Sequence, residues 1–183
     1  MRPEDGTLRA LRVLYLVHAL PPTESSGAPL VAYEYARRAG ARGWKTAVVT
    51  ADPVVTGWRD VRESRVAGEW FTRFAVPVTR PVSAPSNGRD PKSPATRFFV
   101  ELLARLEPDL VHVIDNADLP LDWPDLAAEA GVPVVRTVGS VDDEMAEMAA
   151  RYRDVVKAHP RPVSPPSRRR VRALLGRRRP RPN

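Results

Sequence analysis

The chain has 183 residues, 43% of them hydrophobic and 28% charged, with 20 prolines, three histidines and no cysteine. That length accommodates one domain, and a body of roughly 150 residues buries about 70% of its unfolded surface, enough for an independent core. The lack of cysteine excludes disulfides and thiolate metal sites, and His18, His112 and His159 have no ligand spacing, so no metal is expected. No stretch approaches the roughly 18 apolar residues of a membrane span, and the apolar run at 13–17 is too short for a signal peptide, which makes a cytoplasmic location the expectation.

The net charge of +7 is unevenly distributed. Residues 1–150 hold 17 Lys and Arg against 21 Asp and Glu, whereas residues 151–183 hold 12 against 1. The basic character therefore belongs to the C-terminal tail, and the body is mildly acidic.

Residues 12–18 (RVLYLVH) are almost all apolar, as a central parallel strand covered on both faces requires. Pro21 and Pro22 prevent an immediate helix, and a loop through Ser25, Ser26 and Gly27 leads into one. There Ala32, Tyr35, Ala36 and Ala39 fall on one face, Glu34 and Arg38 form an outward i,i+4 pair, and Gly40 and Gly43 offer stops. Residues 46–50 (TAVVT) predict a second strand, which makes residues 12–50 a right-handed strand, helix, parallel strand unit. Between 52 and 91 the prolines and the Ser86-Asn87-Gly88 cluster mark loop, with a strand expected within 69–78 (EWFTRFAVPV).

Ser93 as N-cap and Pro94 at the first helical position open a helix with Phe99, Leu102, Leu103 and Leu106 inward, stopped by Pro108. Residues 110–114 predict a third strand. Asp122 then caps a short helix with Trp123, Leu126, Ala127 and Ala130 inward, and residues 133–138 (PVVRTV) predict a fourth strand. Ser140 with Asp143 resembles a capping box, opening a last helix whose inward face is Met145, Met148, Ala149 and Tyr152. The expected fold is α/β, a Rossmann-like doubly wound parallel sheet over residues 11–158, after an extension at 1–10. Residues 159–183 carry interspersed prolines and nine arginines from Arg161 to Arg181, and are expected to be disordered.

In such sheets ligands bind beyond the carboxyl ends of the strands, where loop amides and a helix N-terminus meet an anionic group. That reasoning selects Ser26 and Gly27, then His18 at the end of the first strand, Asp115 and Asn116 past the third, and Ser140 at a helix N-terminus. His112, between Val111 and Val113 in a buried strand, is better explained by packing or a hydrogen bond to a neighbouring loop. Asp142, Asp143 and Glu144 in a first helical turn answer the helix dipole.

The first strand with its Gly loop, the passage ARRAGARGWKTAVVT, the strand PDLVHVID and the segment AAEAGVPVVRTV together resemble the N-terminal domain of family 4 glycosyltransferases over about residues 11–150. The resemblance implies half of a GT-B architecture. This half would hold a sugar or lipid-linked hydroxyl acceptor, while a C-terminal half binds a nucleotide-sugar donor; no further cofactor is implied. The family's Gly-Gly pair aligns with Ser26 and Gly27, and Gly139 and Ser140 stand where members commonly place a His. No donor half follows in this chain, so it is expected to be incomplete and inactive alone, either a truncated reading frame or a subunit that borrows a donor domain.

The tail is open to three accounts: a contact with anionic membrane at the inner face, which would make the protein peripheral there; the end of a truncated frame; or nucleic-acid binding. It lacks the aromatic residues that stack on bases, which disfavours the last. The alternative to a glycosyltransferase is a non-enzymatic Rossmann-like binding module whose basic tail docks on nucleic acid or anionic membrane.

Overall fold

β1 (Arg12–Val17) is the axis of the sheet. Leu14 and Leu16 point to one face, Val13, Tyr15 and Val17 to the other, and all five are buried. The computed structural model describes residues 10–65, 70–79, 93–137 and 145–159. Ser140, most of the N-terminal extension and the tail beyond residue 159 lie outside them.

After β1 come α1 (Gly27–Ala41), β2 (Lys45–Ala51), β3 (Arg62–Ser64), β4 (Phe71–Val76), α2 (Pro94–Leu106), β5 (Leu110–Asp115), α3 (Trp123–Glu129), β6 (Val134–Arg136) and α4 (Met145–Ala158). The sheet order is β3-β4-β2-β1-β5-β6, parallel throughout except for the β3–β4 pair. The strand order thus reverses between β1 and β5. Helices α1 and α4 cover one face through Val31, Ala32, Tyr35, Met148 and Tyr152, while α2 and α3 cover the other through Phe99, Leu102, Leu103, Trp123 and Leu126. This is the Rossmann-like sheet expected.

The Ser93-Pro94 start of α2 works as the sequence predicts, whereas Asp122 stands at the N-cap of α3 without a side-chain capping bond. The Ser93 hydroxyl accepts the Thr96 amide at 3.0 Å with Pro94 in the first turn, and α2 ends at Glu107, whose amide bonds to the Leu103 carbonyl. On the solvent side of α1, Glu34 pairs with Arg37 at 2.9 Å and with Arg38 at 3.1 Å.

The stretch between β2 and β4 departs from strict alternation of strand and helix. Two parallel strands need a crossover, and here residues 52–61 make it without a helix, leading into the antiparallel edge strand β3. All three β3 side chains are polar and exposed, so no apolar pattern announces the strand. Trp58 fastens the crossover down, 5.6 Å from the Phe98 ring and 5.9 Å from Trp123, which itself stacks on Phe99 at 4.5 Å.

His112 is fully buried in β5 and bridges two elements: Nδ1 pairs with the Tyr152 hydroxyl of α4, and Nε2 with the Thr137 hydroxyl just past β6. A neutral imidazole has one donor and one acceptor, and each hydroxyl supplies whichever is lacking. Burial, with a smaller contribution from Arg151, pushes the His112 pKa down to about 3. The residue is structural, as its place inside a strand suggests.

Two outcomes test this packing. A Cβ on Gly40 would lie 2.4 Å from both Cβ and the carbonyl oxygen of Trp70. Gly40→Ala is therefore expected to destabilise by about 1–3 kcal/mol, the overpacking cost outweighing the roughly 0.5–1 kcal/mol of helix propensity gained, as measured by urea unfolding. For His112, folded and unfolded chains are both neutral above pH 6.5, and between 6.5 and about 3 only the unfolded chain takes up the proton. Stability then falls as pH drops, and wild type should lose roughly 2 kcal/mol more than His112→Asn between pH 7 and pH 5.

Candidate functional site

Where a doubly wound sheet reverses its strand order, the loops leaving neighbouring strands diverge and open a crevice at the carboxyl ends. Here that point lies between β1 and β5. The register between them shifts at their carboxyl ends: Leu16 pairs with Val113, but Val17 pairs with Asp115, leaving Ile114 as an extra residue. Such bulges re-aim the side chains that follow.

Asp115 is brought against His18, the residue directly after β1. His18 Nδ1 is 3.2 Å from Asp115 Oδ2, and Nε2 is 3.0 Å from Glu24 Oε2. The Glu24 contact has hydrogen-bond geometry. The Asp115 contact does not, so Nδ1, which is shielded from solvent, lies beside that carboxylate without a hydrogen bond. A neutral ring can donate to one of these carboxylates, whereas an imidazolium serves both. His18 thus ties the loop before α1 to the end of β5, with its side chain 18% exposed.

The Asp115 carboxylate and the backbone that carries Glu24 are each held by hydrogen bonds. Asp115 Oδ1 accepts the Ala117 amide at 2.9 Å, and the Thr23 and Glu24 amides both reach the Leu20 carbonyl, at 3.0 and 3.4 Å. The loop after β5 is in turn tethered to the segment after β4, because Asp118 carbonyl receives both the amide and the hydroxyl of Thr79. Asn116 follows Asp115 at the rim, half-buried.

Two residues beyond Glu24, Ser26 occupies the N-cap of α1 with extended backbone, yet its side chain makes no capping bond and the first turn carries no acid. Pro29, the third residue of the helix, has no N–H, so the leading amides left to an outside acceptor are those of Gly27 and Ala28, and Ser25, Ser26 and Gly27 are all exposed. Gly27 has φ +55, and a Cβ there would meet nothing within 4 Å. Glycine is needed at this position for its backbone angle.

The structure thus brings together His18, Asp115, Asn116, Ser26 and Gly27 at one corner; Ser140 is outside the described residues. It adds Glu24, which sequence reasoning missed because nothing in a Pro-Pro-Thr-Glu turn reveals that the chain folds its carboxylate back onto His18. Among the described residues, no group of three or more His, Cys, Asp or Glu side chains has the geometry to hold a metal ion, and no helix is long and apolar enough to cross a membrane.

Removing the imidazole should loosen this corner and leave the core intact. His18→Leu is expected to speed hydrogen exchange at the Thr23 and Glu24 amides with the β1 amides unchanged. Unaltered exchange would mean that the two carboxylate contacts do not order the loop.

No curated protein matches the chain. Residues 25–180 match the family Glycosyltransferase Family 4, a stretch that includes Ser26, Gly27, Asp115, Asn116 and Ser140 and begins just after Glu24. A match over most of the chain, on a Rossmann-like sheet whose polar residues gather at its strand-order reversal, places this protein in glycosyltransferase family 4.

Proposed function

We propose that the corner between β1 and β5 is the acceptor wall of a sugar-transfer cleft, and that the complete enzyme moves a glycosyl group from a nucleotide sugar to a hydroxyl acceptor. One observation carries the reading: in a family 4 chain, an uncapped helix N-terminus stands beside a carboxylate–imidazole–carboxylate cluster. The two halves suit the two reactants. Free amides at Gly27 and Ala28 suit the diphosphate, whose negative charge grows as the bond from the sugar carbon to its oxygen breaks. Carboxylate oxygens of Glu24 and Asp115 accept hydrogen bonds from the hydroxyl groups of the acceptor, a sugar or a lipid-linked alcohol, and so position it.

His18 acts here through its neighbours. With both ring nitrogens facing carboxylates, it orients Glu24 and Asp115 and is not a free base. Asn116 at the same rim, and Ser140, supply further hydroxyl or phosphate contacts. The nucleotide sugar is a co-substrate held mainly by a second, donor-binding domain, whether in the same or a separate polypeptide, and a basic tail contact with anionic membrane suits a lipid-linked acceptor.

The purified 183-residue chain is expected to release no nucleoside diphosphate from UDP- or GDP-sugars above background, while oligosaccharide acceptors shift the His18 ring signals in NMR. Turnover by the chain alone would refute the division of labour between two domains. Acceptors that leave His18 unperturbed would refute the assignment of this corner.

A further inference from the structure

At the opposite end of the strands, where β1, β2 and β4 begin, a groove of about 470 Å³ opens beside the last turn of α2. Its size falls within the range of small-molecule sites. Four cationic side chains line it: Arg12, Lys45, Arg65 and Arg105. Two of them are anchored. Arg12 meets Glu107 at 2.9 Å, and Arg105 meets Glu63 at 2.9 Å with its guanidinium 4.9 Å above the Phe74 ring. Lys45 and Arg65 are exposed, and neither has an acidic partner among the described residues.

Two tryptophans complete the lining. Trp44 is half-buried beside Tyr152, whereas Trp70 is 58% exposed although its backbone is firmly held. The Trp70 carbonyl accepts the Thr46 hydroxyl at 3.2 Å, and α1 packs so closely on it that Gly40 has no room for a Cβ. An indole mounted on a fixed backbone at the rim of a cationic groove presents apolar area to a ligand at little ordering cost. Arginine forks and a lysine ammonium match phosphate oxygens in charge and geometry.

We propose that this groove binds a phosphate-bearing ligand, with Lys45 and Arg65 receiving the phosphate and Trp70 contacting the attached ring or chain. The site stands apart from the sugar-transfer corner, at the other end of the strands, and does not depend on the reading given to that corner. The same chemistry is offered by a soluble phosphate ester and by a phospholipid headgroup, and the groove accepts either through the same residues.

Tryptophan fluorescence of the whole chain separates these sources. Saturable quenching by inorganic pyrophosphate would identify a soluble ligand, and quenching by phosphatidylglycerol vesicles but not by phosphatidylcholine vesicles would identify a headgroup. Either result supports the site if the Lys45→Ala/Arg65→Ala variant, which changes only exposed side chains, melts like wild type and binds at least about tenfold more weakly. Trp70→Phe should remove most of the signal. No saturable response to either probe, equal response to neutral and anionic vesicles, or an unchanged affinity in the double variant would overturn the proposal.

Discussion

Burial of β1 on both faces and at both edges is the constraint from which the rest of the molecule follows. A six-residue strand with five fully withdrawn side chains must have helices above and below and a hydrogen-bonded strand on either side. Its first residue is fixed as firmly as its interior. The Arg12 amide donates to the buried carboxylate of Asp109 at 2.8 Å, the Asp109 amide returns a bond to the Arg12 carbonyl at 2.7 Å, and the Arg12 guanidinium holds Glu107. That exchange sets the register of β1 against β5 at the amino end. The bulge at Ile114 can then act only at the carboxyl end, where it delivers Asp115 to His18.

Most of this architecture was legible in the chain because local signals and burial agree. The apolar run of β1, the inward Ala32, Tyr35, Ala36 and Ala39 of α1, and the Ser93-Pro94 start of α2 each specify an element whose tertiary surroundings want the same thing. The sequence is silent where an element is held by something other than its own pattern. β3 is a polar strand recruited by β4, and the crossover at 52–61 depends on a single tryptophan docking between Phe98 and Trp123. Neither has a periodicity to detect. On α4, Met148 and Tyr152 are buried as their spacing predicts.

The candidate site divides along the same line. Residues adjacent to strand ends, such as His18, Asp115 and Asn116, can be located from strand boundaries alone, because the sheet decides which end of each strand faces the crevice. Glu24 could not. Its position depends on a loop conformation set by amides returning to the Leu20 carbonyl and by an attraction to His18 that exists only after folding. Gly27 was legible as the glycine of the loop that opens α1, and its positive φ supplies a backbone reason for the residue.

The electrostatics of this corner also bear on which reactant it meets first. Two carboxylates sit within 3.2 Å of one imidazole, so even with a protonated ring the cluster carries a net negative charge. A diphosphate approaching across that cluster would be repelled, whereas a neutral polyhydroxyl acceptor would find hydrogen-bond acceptors already oriented. The one element of the corner that favours an anion is the uncapped start of α1, and its attraction fades beyond the first turn. A phosphate group is therefore accommodated only if something else brings it to the Gly27 and Ala28 amides along a path that avoids Glu24 and Asp115. On the proposed reading, that task would fall to the opposite wall of a two-domain enzyme, and the acidic cluster would keep donor and acceptor on their own sides until the cleft brings them together.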